Sequence, residues 1–200
     1  MSNYGAINQE YQISFAAIIT EYLYADRATR SVYAEKLKRL VVDYFSMAFE
    51  AGWADAGGDP DDIPAKDLSW LLDKKHAEYA NIDLMMYSLK EVRANLKDIP
   101  EGEWPAIIDQ RTSGYTKTLD GIYSEGKLRG SKSDISLTFV GSDGRENCIT
   151  CAKWKGKRHR ISFWLKRGLI PGQPGNPNFE CHGYNCYHYL ADDKGKRYTL

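Results

Sequence analysis

Apolar residues recur every three or four positions through the first two thirds of the chain, the period of one face of an α-helix. Over residues 9–26 the stripe is Tyr11, Phe15, Ile18, Ile19, Tyr22 and Leu23; over 31–54 it is Leu37, Leu40, Val41, Tyr44, Phe45, Ala48 and Phe49. Gly57-Gly58-Asp59-Pro60 then breaks the pattern, since glycine turns freely and proline has no amide hydrogen to donate. A third helix is predicted from Pro64, well placed at a first helical position, through Leu68, Leu71, Leu72, Ala80, Leu84 and Leu89 to near Leu96. Ile99-Pro100-Glu101-Gly102 ends it. A fourth stripe, Ile108, Tyr115, Leu119, Ile122 and Tyr123, spans 104–128, with Gly114 and Gly121 as expected weak points.

After Gly130-Ser131-Lys132-Ser133 the period falls to two. Ile135, Leu137 and Phe139 alternate with Ser136, Thr138 and Val140, which predicts a strand running into a turn at Gly141-Ser142-Asp143-Gly144. Ser162 is placed to cap a short helix over 163–167 that Gly168 stops. The run from Pro171 to Asn178 is too rich in proline and glycine for regular structure. The pattern therefore predicts a mainly α chain, with a helical N-terminal body over 1–130 and a small α+β module over 131–200.

All four cysteines fall in that module, as Cys148-Ile-Thr-Cys151 and Cys181-His-Gly-Tyr-Asn-Cys186. Two pairs of thiolates on separate turns can complete a tetrahedral site around one ion, here Cys148, Cys151, Cys181 and Cys186 around a structural zinc. Two disulfides, or reduced thiols in a small core, are the alternatives that spacing leaves open. A clip of either kind suits a module with few aliphatic residues and long loops. His159, His182 and His188 lie nearby; each either sits on an exposed turn, replaces a cysteine as ligand or acts as a general base.

The net charge of zero conceals an asymmetry. Acids outnumber bases over 50–109, whereas between Asn147 and Phe179 there is no acid at all but Lys153, Lys155, Lys157, Arg158, Arg160, Lys166 and Arg167. Lys153, Lys155, Lys157, Arg158 and Arg160 are candidates for docking against nucleic acid or an acidic protein partner; the alternative is a solvated surface. Five Trp and fourteen Tyr favour interfaces.

No apolar run is long enough to span a bilayer, and residues 1–5 lack the pattern of a signal peptide, so no membrane association and assembly in a cytoplasm are expected. No phosphate-cradling loop, dinucleotide fingerprint or nucleophile elbow is present. Asp59, Asp61 and Asp62 lack the spaced ligands of a calcium loop and read as a capping turn. Cysteine pairs with Asn147, His159 and His182 resemble an HNH-type ββα-metal nuclease. The acidic-His-His block of such a site is missing, and no catalytic residue is assigned.

The run Phe139-Val140-Gly141-Ser142-Asp143-Gly144, with Cys148-x-x-Cys151, Trp154-x-Gly156, His159-Arg160, Trp164, Gly168-Leu169-Ile170-Pro171-Gly172 and Phe179-x-Cys181-x-Gly183-x-x-Cys186, resembles the C-terminal module of tailed-bacteriophage minor head proteins, the Mu-type head-morphogenesis family. It departs in having Trp154 where leucine is usual, in having four residues inside the second cysteine pair, and in lacking the His-Pro before that pair. The resemblance implies a virion protein at or near the portal and head-to-tail junction, without enzymatic activity. Its partners would be portal, capsid or connector chains in a multi-chain assembly, with possible DNA contact. The alternative is a zinc-stabilised nucleic-acid-binding module in which Trp154 and Trp164 stack on bases.

Overall fold

The computed structural model describes residues 3–26, 29–95, 98–141, 147–183 and 186–200. Four long helices come first: α1 (Tyr4–Tyr24), α2 (Arg30–Asp55), α3 (Ala65–Ala94) and α4 (Trp104–Arg129). After them come β1 (Ser136–Val140), α5 (Ile149–Trp154), β2 (Arg158–Arg160), α6 (Ile161–Arg167) and β3 (Tyr189–Ala191). The predicted class is the observed one. Residues 142–144 of the predicted turn, and the expected end of the third helix at Leu96, lie outside the described residues. Among those described, no helix is long and apolar enough to cross a membrane.

The chain divides into two compact units. One comprises Gly5–Met47 and Pro64–Thr116; the other comprises Met1–Tyr4, Ala48–Ile63 and Lys117–Leu200. This differs from a cut at residue 130. The reason is in the core, because Leu128 packs in one cluster with Leu137, Phe139, Ile161, Trp164 and Leu190, so the end of α4 folds with the module. The same cluster shows that the module has a real apolar core, richer than its sequence suggested.

In the helical unit the predicted stripes meet. Tyr11, Phe15, Leu37, Val41, Phe45, Ile82 and Leu89 are buried, and the rings of Tyr11 and Tyr44, and of Phe15 and Tyr115, lie 5.3 and 4.7 Å apart. Polar links join the same helices, with Lys75 donating to Ser46 Oγ at 2.6 Å and Lys38 paired to Asp83 at 2.9 Å.

In the other unit, glycine sets the approach of α2 to α4. A side-chain Cβ at Gly52 would fall 2.1 Å from the Tyr123 carbonyl oxygen, and one at Gly126 would fall 2.2 Å from that of Phe49. Backbone presses on backbone from both sides, a distance only glycine permits. α4 itself runs unbroken through Gly114 and Gly121, the expected weak points. Tyr123 donates to Asp55 at 2.8 Å, and its ring stacks on Tyr4 at 4.2 Å.

The three strands form an antiparallel sheet in the order β2-β1-β3, with Leu137 opposite His159 and Phe139 opposite Leu190. Leu137 and Phe139 are buried while Ser136, Thr138 and Val140 are half-buried, as the alternation predicted. α6 begins two residues earlier than expected and is not capped by Ser162. Instead Asp134 accepts hydrogen bonds from the Ser162 amide and hydroxyl, both at 2.8 Å. The helix ends at Gly168, whose φ of 58° is left-handed.

The proline- and glycine-rich loop is pinned by buried amides. Asn176 Nδ2 donates to the Gly168 carbonyl at 2.8 Å and to Gln173 Oε1 at 3.2 Å, and Asn176 Oδ1 accepts from the Asn178 amide at 3.0 Å. Gln173 in turn donates to Glu125 of α4 at 3.4 Å. Asn176→Ala would leave these groups buried without partners, so urea denaturation should register a loss of about 2–3 kcal/mol. A loss below about 0.5 kcal/mol would show that water replaces the amide.

Candidate metal centre

The first cysteine pair is built into a helix start. Cys148 is the N-cap of α5, its sulfur accepting from the Cys151 amide at 3.4 Å, and Cys151 is buried in the first turn. The second pair follows Phe179, a buried ring stacked 6.3 Å from Phe139. A reciprocal tie holds the two pairs together. Glu180 Oε2 accepts from the Ile149 amide at 2.9 Å, and the Glu180 amide donates to Thr150 Oγ1 at 3.4 Å.

The four predicted ligands converge as two overlapping groups. The donor atoms of Cys148, Cys151 and Cys181 lie within 4.8 Å of one another, and so do those of Cys151, Cys186 and His188. Cys151 belongs to both. All four cysteines are free. Cys151 Sγ and Cys186 Sγ stand 3.9 Å apart, far beyond a disulfide bond of about 2.05 Å. That separation matches the edge of a tetrahedron of thiolates at about 2.3 Å from a zinc ion, which is about 3.8 Å. The donor set fits a metal of that kind.

Sequence reasoning named His188 only as one of three histidines that could replace a cysteine. The structure separates them. His182 is exposed, His159 stacks on Phe163 at 3.8 Å, and His188 is buried with Nδ1 3.7 Å from Cys186 Sγ. Its Nε2 has no hydrogen-bond partner among the described residues. Gly141 makes room for the ring, since a Cβ there would come within 2.4 Å of it. The signal available in sequence was the Cys186-x-His188 spacing ahead of a strand.

The thiols share their protons unequally. The contact with Cys151 Sγ, opposed by burial and reinforced by the His188 and Gly172 amides, brings Cys186 down to about 5. Cys151 is pushed up by the same contact and then by burial. Burial opposes ionisation of Cys148, but the Cys151 and Cys181 amides outweigh it and lower its pKa; burial raises that of Cys181. A cluster that ionises in part before any ion arrives is suited to exchanging its remaining protons for a cation.

The predicted docking residues follow the first cysteine pair in the chain. Lys153 lies on α5, Lys155 caps its end, Lys157 is in the following turn, and Arg158 and Arg160 are on β2; all are exposed. Trp164, expected to be open for base stacking, is fully buried and donates to the Leu137 and His159 carbonyls at 3.2 and 3.0 Å. It is a core residue.

Comparison of the chain with protein-family models, with curated proteins and with solved structures finds no match.

Proposed function

We propose that this protein is a structural component of a tailed-phage particle, a minor head or head-to-tail junction protein whose C-terminal module is stapled by zinc. The observation that carries the reading is the closed donor set. Cys148, Cys151, Cys181 and Cys186, with His188 beside them, supply enough protein donors to fill a four-coordinate ion, which is the arrangement of a structural site and leaves no vacancy for a reacting water. The residues through which the chain resembles the head-morphogenesis family support it further. Phe139 and Trp164 fill the core, Gly168 and Gly183 adopt left-handed turns, and the cysteines converge, so the shared pattern serves the fold.

In this reading the chain is made in the host cytoplasm, joins portal, capsid or connector chains, and turns over no substrate. Purified reduced protein should carry close to one zinc per chain, and mass spectrometry of particles from the phage or prophage that encodes it should find it as a stoichiometric component. Its absence from purified particles would overturn the reading. Metal-dependent DNA cleavage lost in His159→Ala would replace it with a nuclease.

A further inference from the structure

We propose that the basic face carried by α5, β2 and α6 binds the phosphate backbone of nucleic acid without regard to base sequence. The cations are held in place by aromatic rings. Lys153 and Lys157 place their ammonium groups 5.8 and 5.0 Å from the centre of the Trp154 ring, and the Arg167 guanidinium lies 4.7 Å from that of Phe163. The Trp154 and Phe163 rings are themselves 5.6 Å apart, so the three charges stand around one aromatic cluster. Cations held this way lose less side-chain freedom when they meet a ligand.

The cations of this face outnumber the carboxylates that touch it, Asp134 and Glu180. Asp134 holds the start of α6 and pairs with Arg160 at 4.0 Å. Glu180 is occupied by the Ile149 amide. Lys153, Lys157, Arg158, Lys166 and Arg167 are exposed and have no ion pair among the described residues. A protein surface offers both signs of charge, whereas a nucleic acid offers one, at about one phosphate per 3.4 Å of strand. A face on which cations outnumber acids complements the second.

The rings also decide what is read. The Phe163 ring is covered by His159 at 3.8 Å and by Arg167, Trp154 carries two lysines, and Trp164 is buried. None of these three rings is open for a base, which leaves contacts to phosphate that position a duplex without reading it. The face further depends on the metal centre, because Cys148 and Cys151 begin the helix that carries Lys153 and Trp154; that dependence rests on the metal reading above.

The test is fluorescence anisotropy of the full-length metal-loaded protein with two labelled duplexes of about 25 base pairs and unrelated sequence, titrated with salt. Both duplexes should bind with the same affinity, and log K should fall with log salt at a slope of about −4 to −5. Lys153→Ser/Lys157→Ser/Arg167→Ser should reduce the slope by about 2–3 and weaken binding at least about tenfold. Arg158→Ser/Lys166→Ser should reduce it by about 2. Lys66→Ser/Lys90→Ser on α3 should change nothing. Undetectable binding, a slope unmoved by both variants, a strong preference for one duplex, or equal affinity for polyglutamate would each overturn the proposal. Zinc content and presence in the particle are read separately, so failure here is distinct from failure of the assembly role. Chelation should abolish binding; binding that survives chelation would remove the link to the metal.

Discussion

Withdrawing the metal, by chelation or by Cys151→Ser, should unfold the segment from β1 to the C-terminus while the helical unit stays folded. Cys151 is the substitution of choice because it alone belongs to both donor groups. Structural zinc contributes about 10–16 kcal/mol of apparent binding free energy in small zinc modules, comparable to or above the whole stability of a typical domain. The apo module retains a small core around Phe139 and Trp164 and the Glu180 tie, which together do not hold four thiols and a histidine in place. Limited proteolysis should therefore cut within residues 136–191 in the apo form only. Because Leu128 shares that core, protection should also fall in the last turns of α4. Far-UV circular dichroism should retain most of its helical signal, since α1 and α3 pack through their own buried stripe. An unchanged proteolytic pattern in metal-free protein would show that the cysteines play no part in the fold.

A second large effect is expected at a position with no side chain. Gly126→Val places new atoms where a Cβ already falls 2.2 Å from the Phe49 carbonyl oxygen, and neither partner is a flexible side-chain tip. The helices must separate along the crossing, exposing Phe49 and Trp53, which are buried. A cost of about 4 kcal/mol or more is expected, against a typical substitution near 1 kcal/mol. Gly114→Ala is the matched control. A Cβ there meets nothing within 4 Å, so the change should stabilise by about 0.5–1 kcal/mol through helix propensity alone. Equal thermal shifts for the two variants would show that the close approach is not required.

The contrast between these glycines also marks how far the sequence could be read. Helical period was enough to locate α2 within one residue at each end, because its apolar stripe is long and unbroken. The same reasoning treated Gly114 and Gly121 as weaknesses of α4 and passed over Gly126, since propensity is local and the approach of another backbone is not visible in it. β2 and β3 were missed for a related reason. Each is three residues long, too short to show alternation, and exists through its pairing with β1. The cysteine cluster was legible because thiol spacing is a local signal, while the burial of His188 depends on the gap at Gly141, distant in sequence. Ser162 and Trp164 were misassigned because a cap and a stacking surface both depend on what lies opposite, here Asp134 and the Leu137 carbonyl.

The short sheet constrains how another chain can attach. Its two outer edges are closed differently. Beside β3, Ala191 bridges Arg197 and the Leu190 carbonyl accepts from the Tyr198 amide at 2.7 Å, so residues 197–199 already occupy the place of a further strand. On β2 the edge is only three residues long and carries the guanidinium groups of Arg158 and Arg160. Neither edge is a template for strand addition or for the edge-to-edge aggregation that crowded copies of a β-protein risk. A neighbour must engage this module through its side chains.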